Sequence, residues 1–499
     1  MLEVGNGKTH HTAVKEAALN VLPKPGLLIG DRWITDCSGG WTRHIYPATG
    51  KPTVSIPMAG TKEIDEAVET ARAALPIWRG MPADQRRELM LRFAQLLRQQ
   101  VETIGNMAVI ENGTPLSIAT LIAYVAADLF AYNAGWADKI GGEVVETWPV
   151  SALDYTLEEP YGVVAAILPF NGPVAQFAMV IAPALAAGNC VVVKPSSLTP
   201  FTAMWFGQLF LEAGFPPGVV NIVPMKGKDG DLLCAHPGVD KIHLTGSVST
   251  ARAVLAAAAL NLTPCGFELG GKSATIVFDD ADLQVAAQSA VQQLSTLSGQ
   301  VCVKGSRFIV QSGVYEKVIE LCKTFTEDIM VGDPVLETTV MSPVISAAQC
   351  DEIMGFINRA KANKSFRLIT GGERLGGELS GGYFIAPTIF ADVENSAEIC
   401  QKEVFGPVLT FTKFDTEDQA IRMANDSNYG LGGYIYTNDL KRAHTVSSAI
   451  RTGNVWVNNF MGVPAGAPFG GIKQSGYGRV GGIHGIREFK RPKNIWISL

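Results

Sequence analysis

The sequence predicts an α/β protein built on two parallel sheets, and three observations carry that prediction. From Tyr161 onward, short β-branched runs alternate with helical stretches of about a dozen residues, the texture of successive βαβ units. The alternation starts afresh near residue 270, which divides the chain into two such units. At 499 residues and 47% hydrophobic content the chain also exceeds what one core supports, since single cores stop growing at roughly 250–300 residues.

Taken in order, residues 1–23 are polar and irregular, an extension expected to be loosely held. Apolar residues at helical spacing, with charges between them, predict amphipathic helices over 62–75 and 83–102 that cover a larger body. The first α/β unit then reads as strand 163–168, helix 174–187, strand 190–194, helix 201–213, strand 219–223, strand 241–245 and helix 248–260. The second reads as strand 274–278, helix 282–296, strand 306–310 and helix 314–328, continuing to Val457. A last strand at 494–499 leaves an open edge, to be covered either by this chain or by another subunit.

Composition narrows the function. A net charge of −6 with no Lys/Arg run gives no electrostatic footprint for nucleic acid. The eight cysteines (37, 190, 234, 265, 302, 322, 350, 400) form no C-x-x-C pair, so neither a disulfide framework nor a metal site is indicated, and a reducing compartment is expected. The N-terminus lacks the basic-then-apolar pattern of a signal peptide. Apolar runs near 162–169 and 178–193 are interrupted by Pro, Gly or Asn before membrane-spanning length. The expectation is a cytoplasmic protein without membrane or nucleic-acid partners.

Chemistry concentrates near the junction of the two units. In Ser298-Gly299-Gln300-Val301-Cys302-Val303-Lys304-Gly305-Ser306-Arg307 one cysteine stands in a short, glycine-flanked polar segment. Upstream, Glu268-Leu269-Gly270-Gly271-Lys272 places a buried-looking acid at the end of a strand. A thiolate can attack an electrophilic carbon and a carboxylate can then activate water, so the pair suggests covalent catalysis with hydrolytic release. Alone, Cys302 would read as a small buried hydrophobe. Lys194-Pro195-Ser196-Ser197 closes one strand, and Thr245-Gly246-Ser247-Val248 closes another while opening a helix whose free N–H groups suit a pyrophosphate. No G-x-G-x-x-G follows any strand, so an ordinary dinucleotide fingerprint is absent.

Together with Pro169-Phe170-Asn171, Glu403-Val404-Phe405-Gly406-Pro407 and Pro468-Phe469-Gly470-Gly471, these segments resemble the aldehyde dehydrogenase superfamily, in family order across roughly residues 25 to 499. The resemblance implies oxidation of an aldehyde to a carboxylic acid with NAD or NADP. Cys302 matches the nucleophile that forms a thiohemiacetal and then a thioester, Asn171 the oxyanion donor, and Glu268 the base that activates water. Lys194 matches an adenosine-ribose contact, Gly246 and Ser247 the pyrophosphate turn, Glu403 a nicotinamide-ribose ligand and Phe405 its neighbour. Gln349 is a further candidate ribose contact. The resemblance also implies a cofactor-binding domain from 24–139 and 161–270, a catalytic domain over 271–470, and bridging segments at 140–160 and 480–499 that would make a homo-oligomer, dimer or tetramer.

Departures from the family pattern sharpen the expectations. The family commonly carries a glutamate where Ser197 stands, and its loss removes a charge that repels a 2′-phosphate, so NADP should be tolerated. Ala251 replaces a usual glycine, and Phe170 a frequent tryptophan. Around the expected aldehyde entrance stand Phe170, Gln176, Phe177, Met179, Leu297, Val301, Val303, Phe460, Met461 and Val463, without a cation among them. An uncharged apolar or aromatic aldehyde fits that lining better than a carboxylate-bearing one, which would want a guanidinium or ammonium partner. The competing readings are a CoA-acylating semialdehyde dehydrogenase, against which Glu268 argues, and a non-catalytic structural or binding protein on the same fold, against which the joint presence of Cys302, Asn171, Glu268 and Glu403 argues. A cysteine hydrolase lacks a histidine in motif context; His243, on a strand, reads as packing.

Overall fold

Runs such as Val163–Ile167 and Cys190–Lys194 are buried along their whole length, as strands covered on both faces by helices must be. The computed structural model describes residues 19–498. The chain opens with an antiparallel pair, β1 (Leu27–Ile29) and β2 (Arg32–Ile34), and a hairpin of β3 (Trp41–Tyr46) with β4 (Lys51–Pro57). Four helices follow, Thr61–Gly80, Ala83–Gln99, Val101–Asn112 and Leu116–Ala134, then β5 (Val144–Val145) and β6 (Ala152–Pro160).

The first parallel set is β7 (Val163–Ile167), β8 (Cys190–Lys194), β9 (Val220–Ile222), β10 (Lys241–Gly246) and β11 (Cys265–Leu269), ordered β11-β10-β7-β8-β9. The second sheet contains β12 (Ala274–Val277), β13 (Arg307–Gln311), β14 (Arg367–Thr370), β15 (Thr388–Ala391), β16 (Val408–Phe414), β17 (Gly432–Tyr436) and β18 (Asn454–Val457), ordered β14-β15-β16-β13-β12-β17-β18. Only β14 runs antiparallel there. Two late strands return elsewhere: β19 (Gly476–Tyr477) joins the edge of β11, and β20 (Lys490–Ser498) pairs with β6 in a three-stranded arm. The architecture is two α/β domains plus that arm, as the sequence predicts.

In the first sheet β7 lies between β8 and β10, so chain connections diverge from it in opposite directions and open a crevice at the carboxyl ends. Asn171 follows β7, Lys194 ends β8, Ser247 follows β10 and Glu268 sits near the end of β11. The second sheet meets this crevice with the opposite ends of its strands: Ser273 precedes β12, Cys302 precedes β13, Glu403 precedes β16 and Leu431 precedes β17. The site therefore forms where the finish of one sheet faces the start of the other. Behind it, Phe93 stacks on Phe210 at 3.9 Å between ring centroids and meets Phe130 edge-on at 4.5 Å, fixing the outer helices to the sheet.

Several element boundaries differ from expectation. The helix expected over 62–75 runs to Gly80 through Pro76, because Trp78 is fully buried beyond the proline and donates from Nε1 to the Leu185 carbonyl at 3.2 Å. The helix expected over 83–102 breaks at Gln100. Of the extension expected to be loose over 1–23, residues 1–18 lie outside the described residues, while Val21 and Leu22 pack against Met58, Phe201 and Met204. The bridging segment expected over 480–499 is shorter than thought: Val480, Ile486 and Phe489 are core residues, and only β20 belongs to the arm. Leu116–Ala134 is long and apolar enough to cross a membrane, yet Ala119, Ala123, Ala126, Ala127, Leu129 and Phe130 bury one side of it in the core.

Asn189 ties three of these parts together. Its Oδ1 accepts from the Gly162 N–H at 2.9 Å, and its Nδ2 donates to the Ala184 and Phe489 carbonyls at 3.0 Å each. Asn189→Ala should lower unfolding free energy by about 2–4 kcal/mol, since buried backbone groups lose their partners; an unchanged urea midpoint would remove this residue from the argument.

Candidate active site

The segment carrying Cys302 is shaped by strain. After the helix Leu283–Ser295, Leu297 and Ser298 both take left-handed backbone angles, φ 47° and 56°, which bulky residues avoid. Gly299 follows at φ 71°, and a Cβ there would collide with the Gly406 carbonyl at 2.3 Å. The turn is held by Ser298 Oγ donating to the Ser342 carbonyl at 2.5 Å and by the Ile345 N–H donating to Gln300 Oε1 at 3.0 Å. Buried Lys304 clamps the far side, donating to the carbonyls of Gly406 and Val408. Cys302 is left half-buried at the apex. Burial pushes its thiol up to about 12, with Glu403 and Glu268 adding to the effect. The sulfur is thus protonated at neutral pH, and its proton must leave as it attacks.

Glu268 lies on β11, opposite Thr245 of β10 and Gly476 of β19. Its side chain is buried, and neither carboxylate oxygen has a hydrogen-bond partner among the described residues. Burial raises it well above the usual carboxylate range; Arg479 pulls it down and Glu488 pushes it further up. Asn171 precedes Gly172, whose φ of 64° caps the helix Pro173–Ala186. Its side-chain amide makes no hydrogen bond among the described residues, and it lines a cavity of about 230 Å³ with Phe170, Leu297, Gln300, Ser342 and Ile345.

Beside Glu403 and Glu268, Cys302 packs against an apolar wall. Val301, Val303, Leu431, Phe469 and Val480 form a buried cluster against which Met179, Leu297, Cys302, Trp456, Met461 and Val463 pack. Val301, Val303 and Val463, expected at the aldehyde entrance, are thus brought together with the thiol. Phe170 sits edge-on to Phe405 at 5.7 Å, and Gln176 is half-buried on the helix behind. Two expectations fail. Phe177 is a fully buried core ring, edge-on to Phe206 at 5.1 Å and tilted against Phe210, because a helix of that hydrophobicity buries most of its circumference. Phe460 is half-buried and lies tilted against Tyr434 at 5.9 Å, packed on the core of the second sheet rather than in the cluster around Cys302. Trp456 was missed by sequence reasoning, though it stands just ahead of the loop that drew attention.

The residues expected to hold a dinucleotide line the crevice. Ser247 is the N-cap of Val248–Ala258, its Oγ accepting from the Thr250 N–H at 3.1 Å, and the two preceding N–H groups of the helix have no intrahelical acceptor, as at any helix start. Lys194 is buried at the end of β8 with no hydrogen bond from its ammonium among the described residues; Gly246 at the end of β10 and Ser197 just beyond β8 are half-buried. Glu403 Oε1 accepts from the Gly271 N–H at 3.0 Å, leaving Oε2 over Gly270, where a Cβ would approach it to 1.9 Å. Burial raises Glu403 to about 7 against the pull of Lys272 and Lys304. Phe405 is held at φ 50°, and Gln349 Nε2 donates to its carbonyl at 3.4 Å. A free buried ammonium, a carboxylate oxygen and helix N–H groups at one crevice suit the hydroxyls and pyrophosphate of a dinucleotide. Lys272 and Lys304, lowered by burial to about 8 and about 7, went unnoticed in the sequence because their partners are backbone carbonyls and a glutamate far along the chain.

Known proteins sharpen this picture. Residues 33–495 match the model of the aldehyde dehydrogenase family. The chain is 38% identical over 477 residues to an aldehyde dehydrogenase of Emericella nidulans, covering 95% of each. It is 37% identical over 500 residues to human retinal dehydrogenase 2, covering 97% of this chain and 95% of the relative. Among solved structures, betaine aldehyde dehydrogenase from Staphylococcus aureus in complex with NAD+ superposes with a TM-score of 0.95 at 33% identity, covering 97% of each chain. On fold, site geometry and sequence alike, the chain belongs to the aldehyde dehydrogenase family.

Proposed function

We propose that this NAD(P)-dependent aldehyde dehydrogenase converts an uncharged apolar or aromatic aldehyde to its acid through covalent adducts on Cys302. The observation that carries the reading is a half-buried thiol on a strained turn, set in an apolar wall, with Glu268, Asn171 and Glu403 gathered at the same meeting of two sheets. The Cys302 sulfur bonds to the carbonyl carbon, and its proton passes to a neighbouring carboxylate or water. The carbonyl electrons collect on oxygen, where the Asn171 amide and the Cys302 N–H donate; such donors are worth roughly 2.7–4 kcal/mol in a preorganised site. Bound across the strand ends, the dinucleotide supplies the hydride acceptor. Lys194, Ser247 and Glu403 would hold its ribose and pyrophosphate groups. Glu268 then takes a proton from water, which adds to the thioester carbon. The C–S bond breaks and the sulfur recovers a proton as the acid leaves. A buried carboxyl raised above its usual range is suited to this step, because it is a stronger base toward water than an exposed carboxylate.

The lining supports an apolar substrate: Met179, Leu297, Trp456, Met461 and Val463 pack with Cys302 against one apolar cluster. Ser197, neutral beside unpaired Lys194, supports use of NADP as well as NAD. Exposed Trp148, Leu153, Leu157, Trp496 and Ile497 on the arm support assembly into a homo-oligomer, and eight free cysteines support a cytoplasmic location.

Cys302→Ala should abolish oxidation. Glu268→Gln should still give one round of reduced cofactor per site while turnover falls at least about 100-fold, and a variant turning over normally would overturn the assignment of the base. In a pH series, turnover should rise as Glu268 loses its proton, with the midpoint well above the usual carboxylate range, and Glu268→Gln should flatten that limb. Ser197→Glu should lower kcat/KM for NADP by about 10- to 100-fold while sparing NAD, as placing like charges together costs several kcal/mol; equal kinetics with both cofactors would sink the argument from Ser197.

A further inference from the structure

Five of the fourteen buried side-chain atoms without hydrogen-bond partners, among the described residues, lie on one face of two adjacent strands. They are Nδ1 and Nε2 of His243 and Oγ1 of Thr245 on β10, and both carboxylate oxygens of Glu268 on β11. The strand register sets Thr245 against Glu268 and His243 against Gly266, so all of them share a side with Lys241, two residues before His243. Buried polar groups are nearly always satisfied, by protein or by ordered water. A row of unsatisfied ones beside a catalytic carboxyl is a path along which water can stand.

The row ends on a second acid. Glu488, just beyond the helix Gly482–Arg487, turns its carboxylate inward over Gly266: a Cβ there would meet Glu488 Oε1 at 2.4 Å and His243 Nδ1 at 3.3 Å. Gly478 faces the other side of the same carboxylate, with a would-be Cβ 2.9 Å from Oε2. Gly478 also contributes a carbonyl beside Gly470, whose missing Cβ leaves the room that Glu268 Oε1 occupies. Glycine at 266 and 478 thus lets the Glu488 carboxylate, and glycine at 470 lets that of Glu268, lie close against the backbone. Glu488 pairs with Lys241 at 2.6 Å and its side chain keeps 14% of its surface exposed, so it touches both the interior row and solvent. A mere structural ion pair would explain Lys241 and Glu488, but not the unsatisfied His243, Thr245 and Glu268 between them and Cys302.

We propose that Glu488 is a proton relay for the Cys302 thioester hydrolysis: the proton that Glu268 takes from the attacking water passes through water along Thr245 and His243 to the Glu488 carboxylate, and from there to solvent. The relay rests on the Cys302–Glu268 reading above. No bond to carbon is involved; one proton leaves Glu268, one arrives at bulk water, and Glu268 returns to its basic form. The charged and titratable groups facing Glu488 are Lys241 and His243 from β10, Glu268 from β11 and Tyr477 from β19, while Arg479 acts on Glu268. Of these, Lys241 is already paired with Glu488 and stacked over Tyr161 at 5.1 Å, which holds the carboxylate in place without closing its outward side.

The test separates making the acyl-enzyme from breaking it. p-Nitrophenyl acetate, an activated ester, acylates a thiol and releases nitrophenolate, so the full-length enzyme reports acylation as a burst and hydrolysis as the decay of the acetyl adduct by intact mass. Glu488→Gln should leave the burst rate unchanged and lengthen adduct lifetime about tenfold, the scale of a lost proton-transfer step rather than a lost base. Glu488→Asp should restore most of the decay rate. Because Glu488→Gln strands Lys241, the double variant Glu488→Gln/Lys241→Met is measured alongside. Slow decay in both supports the relay; wild-type decay in either one overturns it, as does a burst slowed in step with the decay. If the unsubstituted enzyme forms no adduct at Cys302, the covalent reading falls and the relay with it.

Discussion

The chain crosses from one sheet to the other through Gly270-Gly271-Lys272-Ser273, and the geometry of the site depends on how that crossing is pinned. Ser475 Oγ donates to the Gly270 carbonyl at 2.7 Å, the Gly271 N–H donates to Glu403, Arg307 Nε donates to the Lys272 carbonyl at 2.9 Å, and the Gly432 N–H donates to Ser273 Oγ at 3.2 Å. Each of the four bonds engages a different neighbour: Arg307 and Gly432 at strand starts of the second sheet, Glu403 from the segment ahead of β16, and Ser475 from the tail. Side chains could not be tolerated at the two glycines: a Cβ at 270 meets Glu403, and one at 271 meets the Cys302 carbonyl at 2.7 Å. The thiol, Glu268 and Glu403 keep their mutual placement because this one short segment admits a single path.

Around the crossing, the protein holds an unusual density of buried charge. Arg307 is fully enclosed and spends its guanidinium on the carbonyls of Lys272, Met423 and Ala424 and on Asn395 Oδ1. Lys304 does the same with two carbonyls of the segment that bears Phe405. Burying such groups costs several kcal/mol each unless their donors are satisfied. Here the cations are matched to backbone oxygen rather than to carboxylates, which leaves Glu268 and Glu403 free for chemistry and ligand. The cations thus act as fasteners for loops, while the acids stay available.

Much of this was legible in the sequence, and the exceptions have physical causes. Strands such as Cys190–Lys194 announce themselves because a buried parallel strand must be apolar throughout, and the motif residues fall at strand ends because that is where backbone groups are free. Cys302 and Glu268 pair on their chemistry and take their roles from the resemblance, but what joins them in space is a strand register and a crossing, neither of which leaves a local periodicity. Phe177 misled because an aromatic on the helix behind Asn171 looks the same whether it faces the crevice or the Phe206–Phe210 stack. Phe460 misled because Tyr434 lies about a strand away and competes for its ring. Lys304, Glu488 and Trp456 carried no signal at all: a lysine that ends on carbonyls, or a glutamate that reaches back over a glycine on β11, is written in the fold alone.

The tail has an implication for the order in which the molecule is made. Within some two dozen residues it adds β19 to the edge of the first sheet, contributes Val480 to the wall around Cys302, seats Phe489 in the main core and ends as β20 on β6. A ribosome makes these residues only after every strand of both parallel sets. Until then the first domain can bury most of its strands, but Glu268 lies on an unpaired edge and the hydrophobic wall behind the thiol stays incomplete. A nascent chain therefore carries its reactive cysteine from residue 302 to the tail without the surroundings that give it a purpose. Competence arrives late, when residues 476–498 have left the exit tunnel and dock on the first sheet, the wall around Cys302 and β6.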